Sequence, residues 1–353
     1  EQALKLLAKQ DDNWRCIGAI TMGDAYMLSN KTKEAGKAYF EAVQANQEIK
    51  DINLYLMSNI LFAYSEVKLG KLQSAHEIYE KLTDFINRKG LLKTDYAGWV
   101  FSVKGHLFYA WNDIENALEN ANKSIEMIKH GHNVFIKGIV YNNLITILYA
   151  THDLIAAEKA LQELENIVAK ADVPKGIISL KESWKAQLWL EKGNMEAVSN
   201  WVKERDWDES CSFSYLHKEE LIVFARILIA QEKYDTVNVF LKRLISEAES
   251  SSLAAIQIEL LLIHARALII KNNEKEAEKQ VLKALSIAEP GSFIRYFINE
   301  SDAIEPLVKN IINKKAHQAS DELSKISRDF LNKLRIAFEL ETKRKDVQSD
   351  VDL

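Results

Sequence analysis

The chain has 353 residues, with 46 Lys and Arg against 51 Asp and Glu and a net charge of −5, which leaves no basic footprint for nucleic acid. Apolar residues make up 47% and charged residues 27%, which argues against disorder, and no run of 18 apolar residues offers a transmembrane helix. Three Pro and twelve Gly leave few helix breakers, so a nearly all-helical protein is expected. The two cysteines, Cys16 and Cys211, fit a reducing compartment better than a disulfide scaffold, and a cytoplasmic location is the expectation.

The chain starts at Glu1 inside a helical pattern and without Met, which reads as a piece of a longer protein. From there a motif of small residues repeats. Gly23 precedes Ala35, Ala63 precedes Ala75, Gly105 precedes Ala117 and Ala265 precedes Ala277, each by twelve residues. A small residue on one helix facing a small residue on the next lets two backbones approach closely. The second-helix anchors fall at Ala35, Ala75, Ala117, Ala157, Ala197, Val237 and Ala277, with spacings of 40, 42, 40, 40, 40 and 40. Such a period is the signature of a repeat architecture.

The breaks between helices agree. Ser29-Asn30, Leu69-Gly70-Lys71, Asn112-Asp113, His152-Asp153, Gly193-Asn194, Glu232-Lys233 and Asn272-Asn273 each precede an anchor by a few residues. Gly and Asn supply the left-handed conformation that ends a helix. Tyr39, Tyr79, Leu161, Leu241 and Val281 follow their anchors by four, on the same helix face. No pair can bury its apolar stripe alone, so neighbours must stack.

The expected fold is therefore an all-α superhelical solenoid of about seven antiparallel helix pairs over residues 1–291, with a concave and a convex surface. Pro290-Gly291 stops the seventh pair. Residues 292–341 then read as capping helices of the same domain, with Phe293, Tyr296 and Phe297 plugging the end of the stack. Asp302 to Ile312 and Asp321 to Glu341 form the two closing helices. Residues 342–353 are charged, lack an apolar period and read as a linker or frayed tail.

In the first pair Gly23, Tyr26, Ala35, Tyr39 and Ala42 match, in order, the pattern of tetratricopeptide repeats. The repeats here run near 40 residues rather than 34, and most lack the closing Pro, which resembles the longer repeats of one group of bacterial regulators. The stretch Ala284 to Glu300, ALSIAEPGSFIRYFINE, resembles the "ALxLAEPxGFVRxFxxEG" segment of large MalT-like, LuxR-type transcriptional activators, with Ser301 replacing the usual Gly. The resemblance covers essentially the whole chain. It implies a right-handed superhelix and the central, inducer-sensing region of such an activator. In family members an ATP-binding module precedes this region and a DNA-binding helix-turn-helix follows it. No G-x-x-x-x-G-K-[ST] loop occurs in this chain. The resemblance further implies that a small-molecule inducer, or alternatively a regulatory protein partner, acts here to relieve a resting form and allow ATP-dependent self-association. Cofactors and direct nucleic-acid contact are not expected of this region.

Enzyme signatures are lacking. No H-E-x-x-H, C-x-x-C or G-x-S-x-G occurs. His130-Gly131-His132 is the only close His pair and sits in a turn without a Cys or carboxylate beside it, so neither a metal nor a catalytic site is expected.

The concave face is more informative. In tetratricopeptide-like pairs it is lined by first-helix positions six and three before the small residue, and one and four after it. These give Tyr64 with Ile60 and Val67 in pair two. Pair three gives Trp99, Ser102, His106 and Tyr109. Pair four, taken from Ile145, gives Ile139, Asn142, Thr146 and Tyr149. Pair five, taken from Ala186, gives Ser183, Gln187 and Leu190. Glu219, Ile222, Arg226 and Ile229 come from pair six, and Glu259, Leu262, Arg266 and Ile269 from pair seven. Pairs two to four offer flat rings beside hydroxyls, an amide and an imidazole, which suits a sugar or an aromatic acid. Pairs six and seven offer a ladder, Glu219 with Arg226 and Glu259 with Arg266, whose two guanidiniums are placed to grip a carboxylate or phosphate. Against these stand plainer readings: Trp99, Phe108 and Trp111 as inter-helix packing, His106 as a satisfied structural residue, and the arginines as partners of their neighbouring glutamates. Trp184, Trp189, Trp201 and Trp207 read as packing around an irregular fifth pair. Asp206 to Ser214 reads as a long connecting loop and candidate lip over the groove.

Overall fold

The computed structural model describes residues 11–317 and 326–351, and within them every regular element is a helix. Seven antiparallel pairs come first: α1 (Asp12–Leu28) with α2 (Thr32–Ala45), α3 (Ile52–Lys68) with α4 (Leu72–Lys89), α5 (Asp95–Ala110) with α6 (Ile114–Ile128), α7 (Val134–Ala150) with α8 (Leu154–Lys170), α9 (Lys175–Glu191) with α10 (Met195–Glu204), α11 (Lys218–Ala230) with α12 (Tyr234–Ser250), and α13 (Ala254–Ile270) with α14 (Glu274–Ala288). A 3-10 turn (Glu289–Gly291) leads to the short α15 (Arg295–Asn299), then α16 (Ser301–His317) and α17 (Arg328–Val351).

Each of the seven turns within a pair contains one residue with positive φ: Asn30, Gly70, Asn112, His152, Gly193, Glu232 and Asn272. Such a residue reverses the chain after the last helical turn. In three pairs the next residue caps the second helix with its side chain, while Asn273 in the seventh makes no such bond. Asp113 accepts from the Asn116 N–H, Asp153 from Ala156 and Asn194 from Ala197. Five residues past the left-handed position lies the buried anchor: Ala35, Ala75, Ala117, Ala157, Val198, Val237 and Ala277.

This corrects the fifth anchor. Ala197 is only half-buried, and Val198 is sealed from solvent. The twelve-residue rule agrees, because Val198 lies twelve past the buried Ala186. The even 40-residue period hid a one-residue slip at the Gly193 turn. At the third pair the small residue sets a close approach, since a Cβ on Gly105 would lie 3.0 Å from the Ala117 carbonyl oxygen and 3.3 Å from the Ala121 nitrogen and would push the helices apart by a few tenths of an ångström.

The stack coils until it meets itself. The start of α13 packs against the end of α3, five pairs earlier, and α15 packs against α5. A Cβ on Gly70 would sit 3.2 Å from that of Ala254. The Tyr64 and Tyr215 hydroxyls meet at 2.6 Å across the coil, and Trp111 Nε1 donates to the Gly291 carbonyl at 3.0 Å. The Phe293, Tyr296 and Phe297 segment therefore does not lid a free end of the stack. It is a plug seated across the coil, where pair seven comes back to pairs two and three. Phe293 and Phe297 are sealed in the core, and the Tyr296 ring packs edge-on against both Tyr109 and Phe293.

The charged end differs from its sequence reading as well. Helix α17 continues to Val351, through most of the predicted tail, and Arg344 donates to the Thr151 carbonyl. A contact from the fourth pair holds what lacks an apolar period of its own. Part of the predicted closing helix Asp321 to Glu341, residues 321–325, lies outside the described residues, as do Leu353 and its neighbour.

Candidate functional site

The coil surrounds a partly open cavity of about 910 Å³, lined by the first helices of all seven pairs and by α15. The helical phase decides which side chains reach it. Ten of the eleven candidate residues line it: Tyr64, Trp99, His106, Tyr109, Asn142, Thr146, Tyr149, Gln187, Arg226 and Arg266. Ser102 does not. It is buried one layer behind and accepts a hydrogen bond from Asn143 Nδ2 at 2.9 Å, and it is Asn143 that reaches the wall. Ile60, Leu262 and Ile269 are also off the wall, where the coil's overlap and the cap cover pairs two and seven.

The wall divides into two halves. On one side lie Trp99, Phe135, Ile139, Val103 and Leu107 with Tyr109. Trp99 meets Phe135 edge-on at 5.6 Å, and His106 stacks on Tyr109 at 5.3 Å. Burial, helped by the charge of Lys68, pushes the His106 imidazole down to about 4, so it is neutral at pH 7. Its Nδ1 is buried with no hydrogen-bond partner, so the reading of His106 as a satisfied structural histidine does not hold for that atom.

On the other side a hydrogen-bonded chain runs from pair to pair. Arg226 donates to Gln187 Oε1, Gln187 Nε2 donates to the Tyr149 hydroxyl, and Tyr149 donates to Glu191. Trp184 donates to Asn142 Oδ1 at 2.9 Å, and Thr146 returns its hydroxyl proton to the Asn142 carbonyl.

The Glu-Arg ladder is not wired as its spacing suggests. Arg226 pairs with Glu259 at 3.0 Å, across to the next repeat, and with Glu300 of the cap at 3.1 Å. Arg266 pairs with the same Glu300 at 3.4 Å. Glu219 pairs with its chain neighbour Lys218. Burial opposes the Arg226 charge, but Glu259 and Glu300 outweigh it and hold the guanidinium protonated. The two arginines thus already carry an anion, supplied by the protein.

Asn299 donates to the Tyr109 hydroxyl at 2.8 Å. Arg295, 1% exposed, donates to Asn299 Oδ1, Asn112 Oδ1 and the Ala150 carbonyl, and grips both oxygens of Glu341 on α17. This five-residue helix and the Glu300 that follows it therefore tie pairs three, four, six and seven and α17 together around the cavity.

The chain belongs to the MalT-like TPR region family. The family pattern matches residues 1–314, taking in all seven pairs, the plug and most of α16. Among solved structures, the crystal structure of the P58(IPK) TPR domain is similar at 12% identity, covering 94% of this chain and 99% of that one, with a TM-score of 0.28.

In this MalT-like TPR region the segment 206–214 is no lip. Arg243 on α12 donates to the carbonyls of Glu209 and Cys211, and Glu247 accepts from the Phe213 N–H, so the loop is pinned to the outside of pair six. Tyr215 and Leu216, just beyond it, are what reach the cavity. Phe108 and Trp111 pack with His76 at the outer edge, in line with the packing reading. Trp201 is buried, and Trp184 is on the wall. His130 and His132 belong to a turn whose backbone is held by Asp95, which accepts from the N–H groups of His132 and Asn133. Among the described residues no group of three His, Cys, Asp or Glu converges to hold a metal, and no helix is long and apolar enough to cross a membrane.

Sequence reasoning missed Lys68, Tyr215, Lys218, Tyr296, Asn299 and Glu300. The first lies one position beyond the four-residue rule. The others come from a connecting loop, a helix start and the cap, which a repeat template does not place. The only signal for the last three is the motif RYFINE, which was assigned to the stack end.

Proposed function

We propose that this MalT-like TPR region is the inducer-sensing module of a LuxR-type bacterial transcriptional activator and binds a small molecule in the cavity that the coil surrounds. The full protein then carries the ATP-binding and DNA-binding modules and acts in the cytoplasm. The observation that carries this reading is the plug. Asn299 and Glu300 of the plug bond to Tyr109, Arg226 and Arg266, which are themselves cavity wall. An occupant that touches those residues competes with, or reinforces, the closure of the whole coil. That is the differential affinity for two states that any effector needs. Solenoid pairs contact mainly their neighbours, so a change at the closure propagates as a change of curvature.

The second reading, a docking groove for a peptide or partner protein, requires an open channel along the stack. Here α15 occupies it, so a peptide has to displace the plug first, and the small-molecule reading is favoured. Thermal unfolding against sugars, oligosaccharides, aromatic acids and organic acids tests it. A ligand at 100 times its dissociation constant stabilises by about 2.7 kcal/mol. At the usual unfolding entropy per residue that moves the midpoint of a 353-residue chain by about 3–4 °C. The shift should vanish in the triple variant Trp99→Ala, Tyr109→Ala, Arg226→Ala. A flat panel, with one stoichiometric protein captured from lysate, favours docking instead.

A further inference from the structure

The positive charges on the cavity wall are not equivalent. Arg226 and Arg266 are held by Glu259 and Glu300, Arg295 by Glu341, and Lys218 by Glu219 at 2.9 Å. Lys68, the last residue of α3, has no carboxylate within ion-pair distance among the described residues. Its ammonium lies 4.8 Å above the centre of the Tyr64 ring. The contrast is sharp because Tyr64 and Tyr215 form a linked pair, each with a lysine on its face, Lys218 lying 4.2 Å over Tyr215. Glu219 pairs with one lysine, and no carboxylate among the described residues lies within ion-pair distance of the other.

The cavity wall that carries Lys68 also offers apolar and aromatic surface, and its Asp24 carboxyl accepts from the Tyr39 hydroxyl. Leu61, Val67, Val103 and Leu107 give apolar wall, and Trp99 and Tyr109 give flat rings. His106 sits within the field of Lys68, with a buried ring nitrogen that has no partner. A cation held on an aromatic face keeps its N–H donors free for a charge-assisted hydrogen bond to an anion.

Within the small-molecule reading, on which this rests, we infer that the wall formed by Lys68, Tyr64 and His106 receives the single anionic group of the ligand, a carboxylate or phosphate, while its flat apolar body lies against Trp99 and Tyr109. The arginine pair does not take that group, because Glu300 already fills it. A ligand with a second anion would have to expel a carboxylate held at 3.1 and 3.4 Å. The ligand class is therefore an amphipathic molecule with one anionic group rather than a diacid, a cation or a neutral sugar.

A matched series tests this on the whole 353-residue chain: phenylacetate, phenyl phosphate, phenylacetamide and phenethylammonium, by ligand-observed NMR and calorimetry. The expected result is binding of an anion about tenfold tighter than of the amide, with the ammonium weakest. The tighter of the two anions identifies the headgroup. Lys68→Met should remove most of that preference while leaving the amide within about twofold, so the amide doubles as a check on folding. Lys68→Arg should retain the preference. Amide binding as tight as anion binding, or an anion preference that survives Lys68→Met, overturns the assignment and leaves the cavity reading standing. No binding by any member at millimolar concentration overturns both.

Discussion

Removing Arg295 should unfasten the coil. Its guanidinium is 1% exposed and makes bonds to Asn299, Asn112, Ala150 and both oxygens of Glu341. In Arg295→Met the chain keeps its volume and loses every one of them. The Glu341 carboxylate, 8% exposed, is left without its guanidinium. Breaking a buried ion pair from one side typically costs about 3–5 kcal/mol, because a desolvated charge is left behind. Glu341 sits on α17, which can shift toward water, so the lower end, about 3 kcal/mol, is expected. Replacing both partners, Arg295→Met with Glu341→Leu, should recover at least about half of that loss, since two matched apolar groups of similar shape are close to neutral. Urea unfolding of the four proteins gives the cycle. Hydrogen exchange reports the same event locally: amides of 296–300 should lose protection in the single variant, while those of α1 and α2, at the far end of the stack, should not. A single variant within about 1 kcal/mol of the parent, or a coupling under about 0.5 kcal/mol, refutes the reasoning that this residue fastens the closure.

Two further predictions concern register and pH. Val198→Asp should destabilise by about 3 kcal/mol or more, because the side chain is sealed at the α9–α10 contact, whereas Ala197→Asp, half-buried, should stay within about 1 kcal/mol; equal effects would restore the even 40-residue register. His106 and His264 are both held down to about 4, by burial first and then by Lys68 and Lys242 respectively. With folded values below the unfolded value near 6.5, the unfolded chain binds more protons between the two, so stability is full above pH 6.5 and falls as pH drops toward 4. The slope for one such histidine is at most about 1.4 kcal/mol per pH unit. An NMR titration checks it directly: both imidazoles should remain neutral at pH 5.5, and titration of either near 6.5 would contradict the burial argument.

The concave lining was legible because it follows from helical phase alone. Once Gly105, Ile145 or Ala186 is fixed as the close-approach residue, the positions one and four later must face inward, and His106, Tyr149 and Gln187 do. The rule failed for Ser102, where Asn143 of the next first helix packs against that position, and for Ile60, Leu262 and Ile269, which lie off the wall. It failed to flag the Val198 register because a one-residue slip leaves an Ala beside the true anchor and the period nearly intact.

The sequence by itself determined the helices, the seven turns and the stacking order. These rest on local physics: propensity, a left-handed residue after each first helix, and a close-approach residue twelve positions before each anchor, small in every pair but the fourth, where it is Ile145. Only the tertiary structure decided that the coil closes. Closure depends on the small angle between successive pairs, summed until the end of α3 meets the start of α13, and no local pattern encodes that sum. With it came everything that depends on non-local partners: the Tyr64–Tyr215 bridge, the plug on Tyr109, the arginines neutralised by Glu300, and Lys68 on the wall without an ion-pair partner among the described residues.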